Sequence, residues 1–170
     1  MARPPDDLDD PQIATGGLLA ETYTGFFRRL ESDLQAAGLS VQWFDVLMRL
    51  LRTPGHRLRM SDLAAQSTLT PSGLTRAVDR LEAAGLVRRE ACPSDRRGAF
   101  AVLTDAGEQR ISAAVPVHVA GLHEVFSVLS REEVEQLTAL LHRLRDSVNP
   151  DAARASEPRL HCEDGDGEIG

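Results

Sequence analysis

The sequence contains no lysine, so all 19 of its basic residues are arginines. We interpret this absence as the codon usage of a GC-rich genome. No run of 18 apolar residues occurs, which argues against a transmembrane helix, and the acidic start MARPPDDLDD is unlike a signal peptide. We therefore expect a cytoplasmic protein without a membrane partner. In that compartment the two cysteines, Cys92 and Cys162, are expected to form no disulfide, and Cys92 to be inert.

Sequence motifs of common enzymes are missing as well. The chain has no room for a Rossmann domain, and it contains neither a P-loop nor a nucleophile elbow. His118 and His123 are five residues apart, a spacing that does not bring two metal ligands together on a helix. We therefore predict that the protein is not an enzyme and that it has no catalytic residues, no metal site and no cofactor.

The formal net charge of −7 is unevenly distributed. Residues 1–10 contain four aspartates against one arginine, and residues 150–170 contain six acidic residues against two arginines. Residues 57–97, in contrast, contain eight arginines against five acidic residues. A basic segment within a neutral body is compatible with DNA binding. The acidic ends, residues 1–17 and 150–170, are predicted to be disordered because they are polar and charged.

The segment from Thr70 to Gly85 predicts a helix with one apolar and one polar face. Thr70 is a favourable N-cap, Pro71 suits the first helical position, and Gly85 favours the end of the helix. The polar face carries Ser72, Thr75, Arg76, Asp79 and Arg80. Hydroxyls at the start of a helix, followed by arginines one turn later, suit a helix end placed in a major groove.

Two short runs typical of strands follow, Leu86–Glu90 and Ala99–Leu103, on either side of CPSDRRG. The turn-forming residues between them predict a hairpin with Arg96 and Arg97 at or near its tip. An arginine in that position suits a narrow A·T-rich minor groove. Asp95 is expected to orient Arg97 by a charge-assisted hydrogen bond. The helix and the hairpin together predict a winged helix-turn-helix.

Further elements are predicted before this unit. Leu18–Ala37 has apolar residues at helical spacing, and a helix from Val41 to about Leu51 is apolar on nearly every side, which indicates burial. Arg57–Met60 is a candidate third strand of the wing. Ser61 is expected to cap a first helix of the helix-turn-helix at Asp62–Ser67.

Two helices are predicted after the wing. Thr104 is expected to cap a helix that extends to about Leu129 with Pro116 inside it, and the S-x-x-E at Ser130 predicts a capping box. The last helix has apolar residues at alternating spacings of 3 and 4, at Val134, Leu137, Leu141, Leu144 and Val148. Because the apolar seams of the first and last helices lie outside the winged helix, we predict a homodimer in which they pair.

The order of these motifs resembles the MarR family of bacterial transcription regulators. The resemblance rests on DRLEAAGLV, on the D-x-R of Asp95 and Arg97, and on the LT-x-x-G at Leu103, Thr104 and Gly107. It implies a mainly α fold with a small β wing, in which a winged helix (about 40–103) is flanked by dimerisation helices (about 18–37 and 105–149). The DNA-binding residues that it implies are Thr70, Ser72, Gly73, Thr75, Arg76, Arg80, Asp95, Arg96 and Arg97.

The resemblance also implies a small aromatic or phenolic ligand between the two parts of the domain. The residues that could line such a cleft are Tyr23, Phe26, Trp43, Asp45 and Met48. Core packing is the alternative for Tyr23, Phe26, Trp43 and Met48. The charge of Asp45 needs a partner, either Arg49 or a ligand. The implied function is a homodimeric repressor that such a ligand releases from a pseudopalindromic operator on double-stranded DNA. The alternatives are an activator, a ligand-independent DNA binder, or a winged-helix dimerisation or protein-interaction module without DNA binding.

Overall fold

The computed structural model describes residues 10–92 and 95–156, apart from the side chains of residues 95–97, 155 and 156. A 3-10 turn at Pro54–His56 precedes the first strand. The elements are α1 (Pro11–Ala36), α2 (Val41–Arg52), β1 (Arg57–Arg59), α3 (Met60–Gln66), α4 (Pro71–Ala83), β2 (Val87–Cys92), β3 (Asp95–Leu103), α5 (Asp105–Phe126), α6 (Arg131–Val148) and α7 (Pro150–Ser156). This order confirms the predicted fold, mainly α-helical with a small β wing.

Helix α2 lies at the centre of the core. Four of its residues are buried, Phe44, Val46, Leu47 and Leu50. They join buried residues of α4, the sheet and α5 in one continuous cluster. Burying a side chain of this kind contributes about 1.5–3 kcal/mol, so α2 holds the neighbouring elements in fixed positions. The predicted burial of this helix is confirmed.

The three strands form one antiparallel sheet in the order β1-β3-β2. The predicted third strand is therefore present. The hairpin is longer than expected, because β2 reaches Cys92 and β3 starts at Asp95, which leaves only Pro93 and Ser94 between them. The turn-forming composition of this stretch indicated a longer loop. A register shift after Ala91 instead lets the strand pairing continue past the core of the sheet.

The joint between the sheet and α5 is closely packed at Gly107. A Cβ atom on Gly107 would lie 2.0 Å from the carbonyl oxygen of Leu86. That oxygen accepts a hydrogen bond from the Thr104 N–H at 3.1 Å. The Thr104 hydroxyl caps α5 by accepting from the Gly107 N–H at 3.1 Å, and it donates to the Gly85 carbonyl at 2.7 Å. The LT-x-x-G motif is thus a packing joint in which the last position has no room for a side chain.

Helix α1 starts earlier than the sequence pattern indicated. Its first residue is Pro11 rather than Leu18, so the prediction of disorder is wrong for residues 11–17. The Asp10 carboxylate caps the helix by accepting from the Gln12 N–H at 2.8 Å, and a proline suits the first turn. The acidic composition of this stretch predicted disorder, although Asp10 is a favourable N-cap and Pro11 a favourable first helical residue. Residues 1–9 lie outside the described part of the chain.

The chain also continues as a helix beyond the predicted end of the domain. Helix α7 occupies residues 150–156, so the prediction of disorder for 150–170 is wrong there. The Asn149 side chain accepts a hydrogen bond from the Ala152 N–H at 3.2 Å, and Ala152 is buried. Because α7 packs against α3, tertiary contact stabilises a stretch whose composition is polar. Residues 157–170 lie outside the described residues.

Two helix boundaries differ in detail from the predictions. Helix α3 starts at Met60 with Arg59 at the N-cap position, so Ser61 is not its cap. The reason is that the extended backbone of β1 runs directly into the helix. Helix α5 ends at Phe126, slightly before the predicted end. The capping box at the start of α6 is confirmed.

Helices α5 and α6 differ in burial. Ile111 and Ala114 of α5 are buried, whereas α6 contains no buried residue. The two helices meet at an angle of 102°. Helix α6 therefore lies on the surface of the protomer.

Among the described helices, none is long and apolar enough by itself to span a membrane. Helices α5 and α6 meet that criterion only together, as a bent pair, by length and composition.

Candidate nucleic-acid interface

Helix α4 has one buried and one exposed face. The buried face consists of Leu74, Ala77, Val78 and Leu81. The exposed face, which we call the α4 face, consists of Ser72, Thr75, Arg76 and Arg80. The structure thus brings four of the predicted DNA-binding residues together on one accessible surface. A helix held by the core along one side can enter a groove without losing its packing.

The first turn of α4 is shaped by Thr70 and Gly73. The Thr70 hydroxyl accepts from the Gly73 N–H at 3.2 Å and lies 3.4 Å from the Ser72 hydroxyl. A Cβ atom on Gly73 would lie 3.0 Å from that same hydroxyl oxygen, which is a tight contact. Thr70 and Gly73 therefore define the helix end, where N–H groups and the helix dipole favour an anion such as a DNA phosphate.

The two arginines of the α4 face are held differently. Arg76 Nε donates to the Ser72 carbonyl of the preceding turn at 3.3 Å. Arg80 has neither a hydrogen bond nor an ion pair to any residue in the described part of the chain. A guanidinium without a partner on the protein is free to bind a phosphate oxygen.

Arg89 in β2 connects α4 to the wing, a role that the sequence pattern did not reveal. Its guanidinium lies 2.7 Å from the Asp79 carboxylate and 2.6 Å from that of Glu82, and Glu82 also accepts from its N–H at 3.1 Å. Partial burial lowers the pKa of Arg89, but the hydrogen bonds to Asp79 and Glu82 raise it, and the net shift is upward. Asp79 thus pairs within the protein. The sequence signal that could have predicted this pairing is the pair of carboxylates one turn apart in α4, followed by an arginine in the next strand.

Asp95, Arg96 and Arg97 lie at the start of β3, and Pro93 and Ser94 separate them in the chain from the end of β2. They are therefore part of a paired strand, next to the tip of the hairpin. Their side chains lie outside the described residues. The contact of Arg97 with a minor groove, and its orientation by Asp95, stay predictions.

Cys92 is buried on the outer face of the wing sheet. It packs with Phe100 and Val102, and Arg59 Nη2 lies 3.5 Å from its sulfur. The guanidinium carbon of Arg57 lies 3.7 Å from the centre of the Phe100 ring, a cation–π contact. Arginine side chains therefore cover this face, and the thiol beneath them is shielded from solvent.

One residue of the predicted ligand set lies in a cleft between α1 and α5. This cleft, whose cavity volume is only about 10 Å³, is lined by Phe26, Leu30 and Val125 on its apolar side and by Asp33 and His118 among its polar groups. The His118 ring packs on the ring of Phe44 in α2, with 4.6 Å between the ring centres. Burial lowers the pKa of His118, although the Asp33 charge acts in the opposite direction. The imidazole is therefore neutral at neutral pH, and the cleft is mainly apolar.

Tyr23 and Trp43, the other aromatic residues of the predicted ligand set, do not line this cleft. Tyr23 is 54% exposed, and its ring centre lies 5.7 Å from that of Phe27. Trp43 and Met48 are half-buried against the core. Neither they nor Tyr23 are among the residues that line the α1–α5 cavity.

Asp45 is already paired within the protein. Its carboxylate lies 2.8 Å from Arg49 Nη2 and accepts a hydrogen bond from the Ser67 hydroxyl at 2.6 Å. The Ser67 hydroxyl also accepts from the Leu69 N–H at 3.1 Å. Asp45 therefore connects α2 to the turn of the helix-turn-helix. Of the two partners that the sequence allowed for this charge, Arg49 and a ligand, the structure shows Arg49.

The described residues contain no group of three or more His, Cys, Asp or Glu side chains that could hold a metal ion. His118 faces the α1–α5 cleft, whereas His123 is exposed further along the same helix. The two histidines therefore do not converge on a common point.

Comparisons with known proteins agree with this geometry. The MarR family profile matches residues 37–98. The HTH-type transcriptional regulator MhqR of Bacillus subtilis is 32% identical over 127 residues, 75% of this chain and 86% of MhqR. The HTH-type transcriptional repressor YetL of B. subtilis is 30% identical over 120 residues, 71% of this chain and 72% of YetL. The crystal structure of Sco3205, a MarR family transcriptional regulator from Streptomyces coelicolor in complex with DNA, superposes with a TM-score of 0.75 at 34% identity, covering 84% of this chain and 94% of Sco3205.

Proposed function

The chain belongs to the MarR family of transcription regulators, and on that premise we propose that it is a homodimeric repressor of the cytoplasm. It binds a pseudopalindromic operator and leaves it when a small aromatic ligand binds. One observation carries the proposal: the α4 face exposes hydroxyls and arginines while the other side of α4 is fixed in the core. Such a surface binds DNA through phosphates and base edges together.

Dimerisation is supported by the location of the exposed large hydrophobic side chains. Within the described residues, all of them lie in α1, α5, α6 or the turn between α5 and α6. They are Ile13, Leu18, Leu19, Tyr23, Val117, Val119, Val128, Leu140, Leu141, Leu144 and Val148. An apolar surface of this kind marks a partner. We propose that a second copy covers it around a two-fold axis, so that two α4 helices lie about 34 Å apart, one turn of DNA.

Repression is proposed from two considerations. YetL, at 30% identity, is named a repressor. A dimer whose helices occupy successive major grooves also blocks access to the promoter beneath it. A fusion of the operator to a reporter gene tests this directly, since loss of the protein should raise expression from a repressed promoter and lower it from an activated one.

Arg80→Ala is expected to weaken binding to all DNA sequences alike. It should also reduce the slope of log affinity against log salt concentration by about one unit, because one phosphate contact and its released counterion are lost. Electrophoretic mobility shifts of operator and random DNA across a salt series measure both effects.

The matched control for this experiment is Arg131→Ala. Arg131 is 94% exposed at the start of α6, where it pairs only with the exposed Glu135 at 3.0 Å. The Arg131→Ala substitution removes one positive charge, as Arg80→Ala does, but at a position outside the α4 face. It should leave the slope of log affinity against log salt concentration unchanged. Equal slopes for Arg80→Ala and the wild type would remove Arg80 from the interface.

Arg97→Ala tests the wing. It is expected to weaken operator binding by about 1–3 kcal/mol, with the lost discrimination concentrated at the A·T-rich flanks of each half-site, where a narrow minor groove attracts a guanidinium. Competition between operators with A·T and G·C flanks measures the change. If the variant still prefers A·T flanks as strongly as the wild type, the wing does not read them.

The ligand response is tested through Trp43, the only tryptophan of the sequence. If a phenolic compound binds in the part of the domain bounded by α1, α2 and α5, it is expected to change Trp43 emission and to release operator DNA over the same concentration range. Linkage requires this correspondence, because a ligand that prefers free protein must bind the DNA complex more weakly by the same factor. Should a panel of phenols and aromatic acids change neither signal, the protein is a ligand-independent DNA binder.

A further inference from the structure

Helix α7 fixes the end of the described chain against the helix-turn-helix. It packs on α3, the first helix of that unit, and Ala152 at their contact is 6% exposed. Asn149 turns the chain at the end of α6 by accepting from the Ala152 N–H. Ser61 is the only exposed residue of α3. The contact with α7 therefore lies within the DNA-binding part of the protein, although α7 follows directly after α6 in the chain.

The position of α7 does not follow from the packing of α6. Helix α6 buries no residue in the protomer. Between the end of α5 and α3, therefore, no buried side chain of α6 fixes the path of the chain. The contact between α7 and α3 is what determines where residues 157–170 leave the protein. They start beside the helix-turn-helix.

Residues 157–170 carry five acidic residues, Glu157, Glu163, Asp164, Asp166 and Glu168, against the single arginine Arg159. Fourteen residues reach up to about 50 Å when extended. Only residues 67–70 separate α3 from α4 in the chain, a distance well within that reach, so this segment can reach α4 from the end of α7. The α4 face has the opposite charge, and Arg80 on it has no partner in the described part of the chain.

We propose that residues 157–170 occupy the α4 face of the free protein and compete there with DNA. Three observations support this occupant: the opposite charges of segment and face, the docking of α7 on α3 where the segment starts, and the length of the segment. The proposal rests on the assignment of the α4 face as the surface that contacts DNA. It adds an internal competitor to that assignment.

The effect of such a competitor follows from its tether. Attachment to the same chain gives the segment an effective concentration in the millimolar range, so even weak ion pairs to Arg76 and Arg80 are populated. Because every DNA molecule must displace the segment, affinity for operator and for random DNA falls by the same factor. Salt screens the competing ion pairs over about 10 Å at 0.1 M, so the factor is largest at low salt.

A charge-neutral segment tests the competition. The variant replaces Glu157, Glu163 and Glu168 by Gln and Asp164 and Asp166 by Asn. At low salt it is expected to bind operator and random DNA each about fivefold more tightly than the wild type, the size of two exposed ion pairs, and the gain should vanish at 0.5 M salt. No gain at low salt would overturn the proposal.

A matched control separates competition from net charge. It neutralises five exposed carboxylates of α1 and α6, Glu21, Glu31, Glu132, Glu135 and Asp146, which changes the net charge by the same amount. This control should bind DNA like the wild type. A gain equal to that of the neutral segment would mean that overall charge alone is responsible, and the proposal would be refuted.

A direct measurement uses Cys162, which lies within the segment, with Cys92→Ala removing the buried second thiol. A nitroxide on Cys162 is expected to broaden the amide signals of Ser72, Arg76 and Arg80 in the free protein, and operator DNA should restore them. Ala152→Asp, which places a charge in the α7–α3 contact, should weaken the broadening. Unbroadened α4 signals with intact operator binding would refute the competitor alone, whereas broadening in a protein without operator affinity would refute only the DNA-binding role of the face.

Discussion

Replacing Leu137 and Leu141 together with aspartate is expected to yield a folded monomer without measurable operator affinity. In the protomer Leu141 is 43% exposed and Leu137 is half-buried, so the charges hardly disturb the isolated chain. In the proposed dimer both residues lie in the apolar seam of α6, where an unpaired carboxylate costs several kcal/mol. A single winged helix then reads one half-site, which is too weak to hold the operator.

The experiment has a control on the same helix. Gln136→Asp with Ala139→Asp adds the same two charges to exposed positions of α6 that point away from the seam. Sedimentation at micromolar concentration should report a monomer for the seam variant and a dimer for the control, with equal helical circular dichroism. A seam variant that remains dimeric would show that α6 is not part of the interface, and a monomeric wild type would refute the dimer.

Gly107→Ala is expected to reduce the free energy of unfolding by about 3 kcal/mol or more, at the upper end of the range for overpacked sites. The added Cβ would lie 2.0 Å from the Leu86 carbonyl oxygen and 2.8 Å from a methyl group of Leu103. The Leu103 side chain can move, but the Leu86 carbonyl cannot easily do so, because it accepts the hydrogen bond from Thr104 at the start of α5. Relief therefore requires a shift of α5 against the sheet.

The matched control is the same substitution at a glycine in open space. Gly16 lies in α1 with nothing within 4 Å of the position that its Cβ would take. Gly16→Ala should stabilise the protein by about 0.5–1 kcal/mol, because alanine has the higher helix propensity. Denaturant unfolding of both variants measures the difference. A Gly107→Ala protein as stable as the wild type would show that the joint is looser than its geometry indicates.

Much of the helix-turn-helix could be predicted from the sequence because its signals act over one or two turns. The Thr70 cap, the proline after it and the spacing of Leu74, Val78 and Leu81 together predict α4, and each is confirmed. Gly85 adopts a positive φ of 72°, the backbone conformation for which the end of the helix needs a glycine. The capping box of α6 was predictable for the same reason. Each of these signals joins residues that are neighbours in the chain.

Local signals were less reliable where composition and capping disagreed. At Asp10 and Pro11 a cap and a first-turn proline lie within an acidic stretch, and the composition indicated disorder where a helix starts. The wing hairpin was underestimated for a similar reason, since its turn-forming residues continue into the paired strand β3. Composition reports an average over a segment, whereas a helix or a strand is stabilised by particular hydrogen bonds.

The sequence by itself determined the order and type of the elements from α1 to α6, the polar face of α4 and the apolar seam of α6, because periodicity and capping are encoded within a few residues. Only the tertiary structure decided which charges remain available. Asp79 forms an ion pair with Arg89, Asp45 binds Ser67 and Arg49, and α7 packs on α3. Most of these contacts join residues that are distant in the chain. Their pairing depends on how the helices and the sheet pack, and no repeat or spacing in the sequence records that packing.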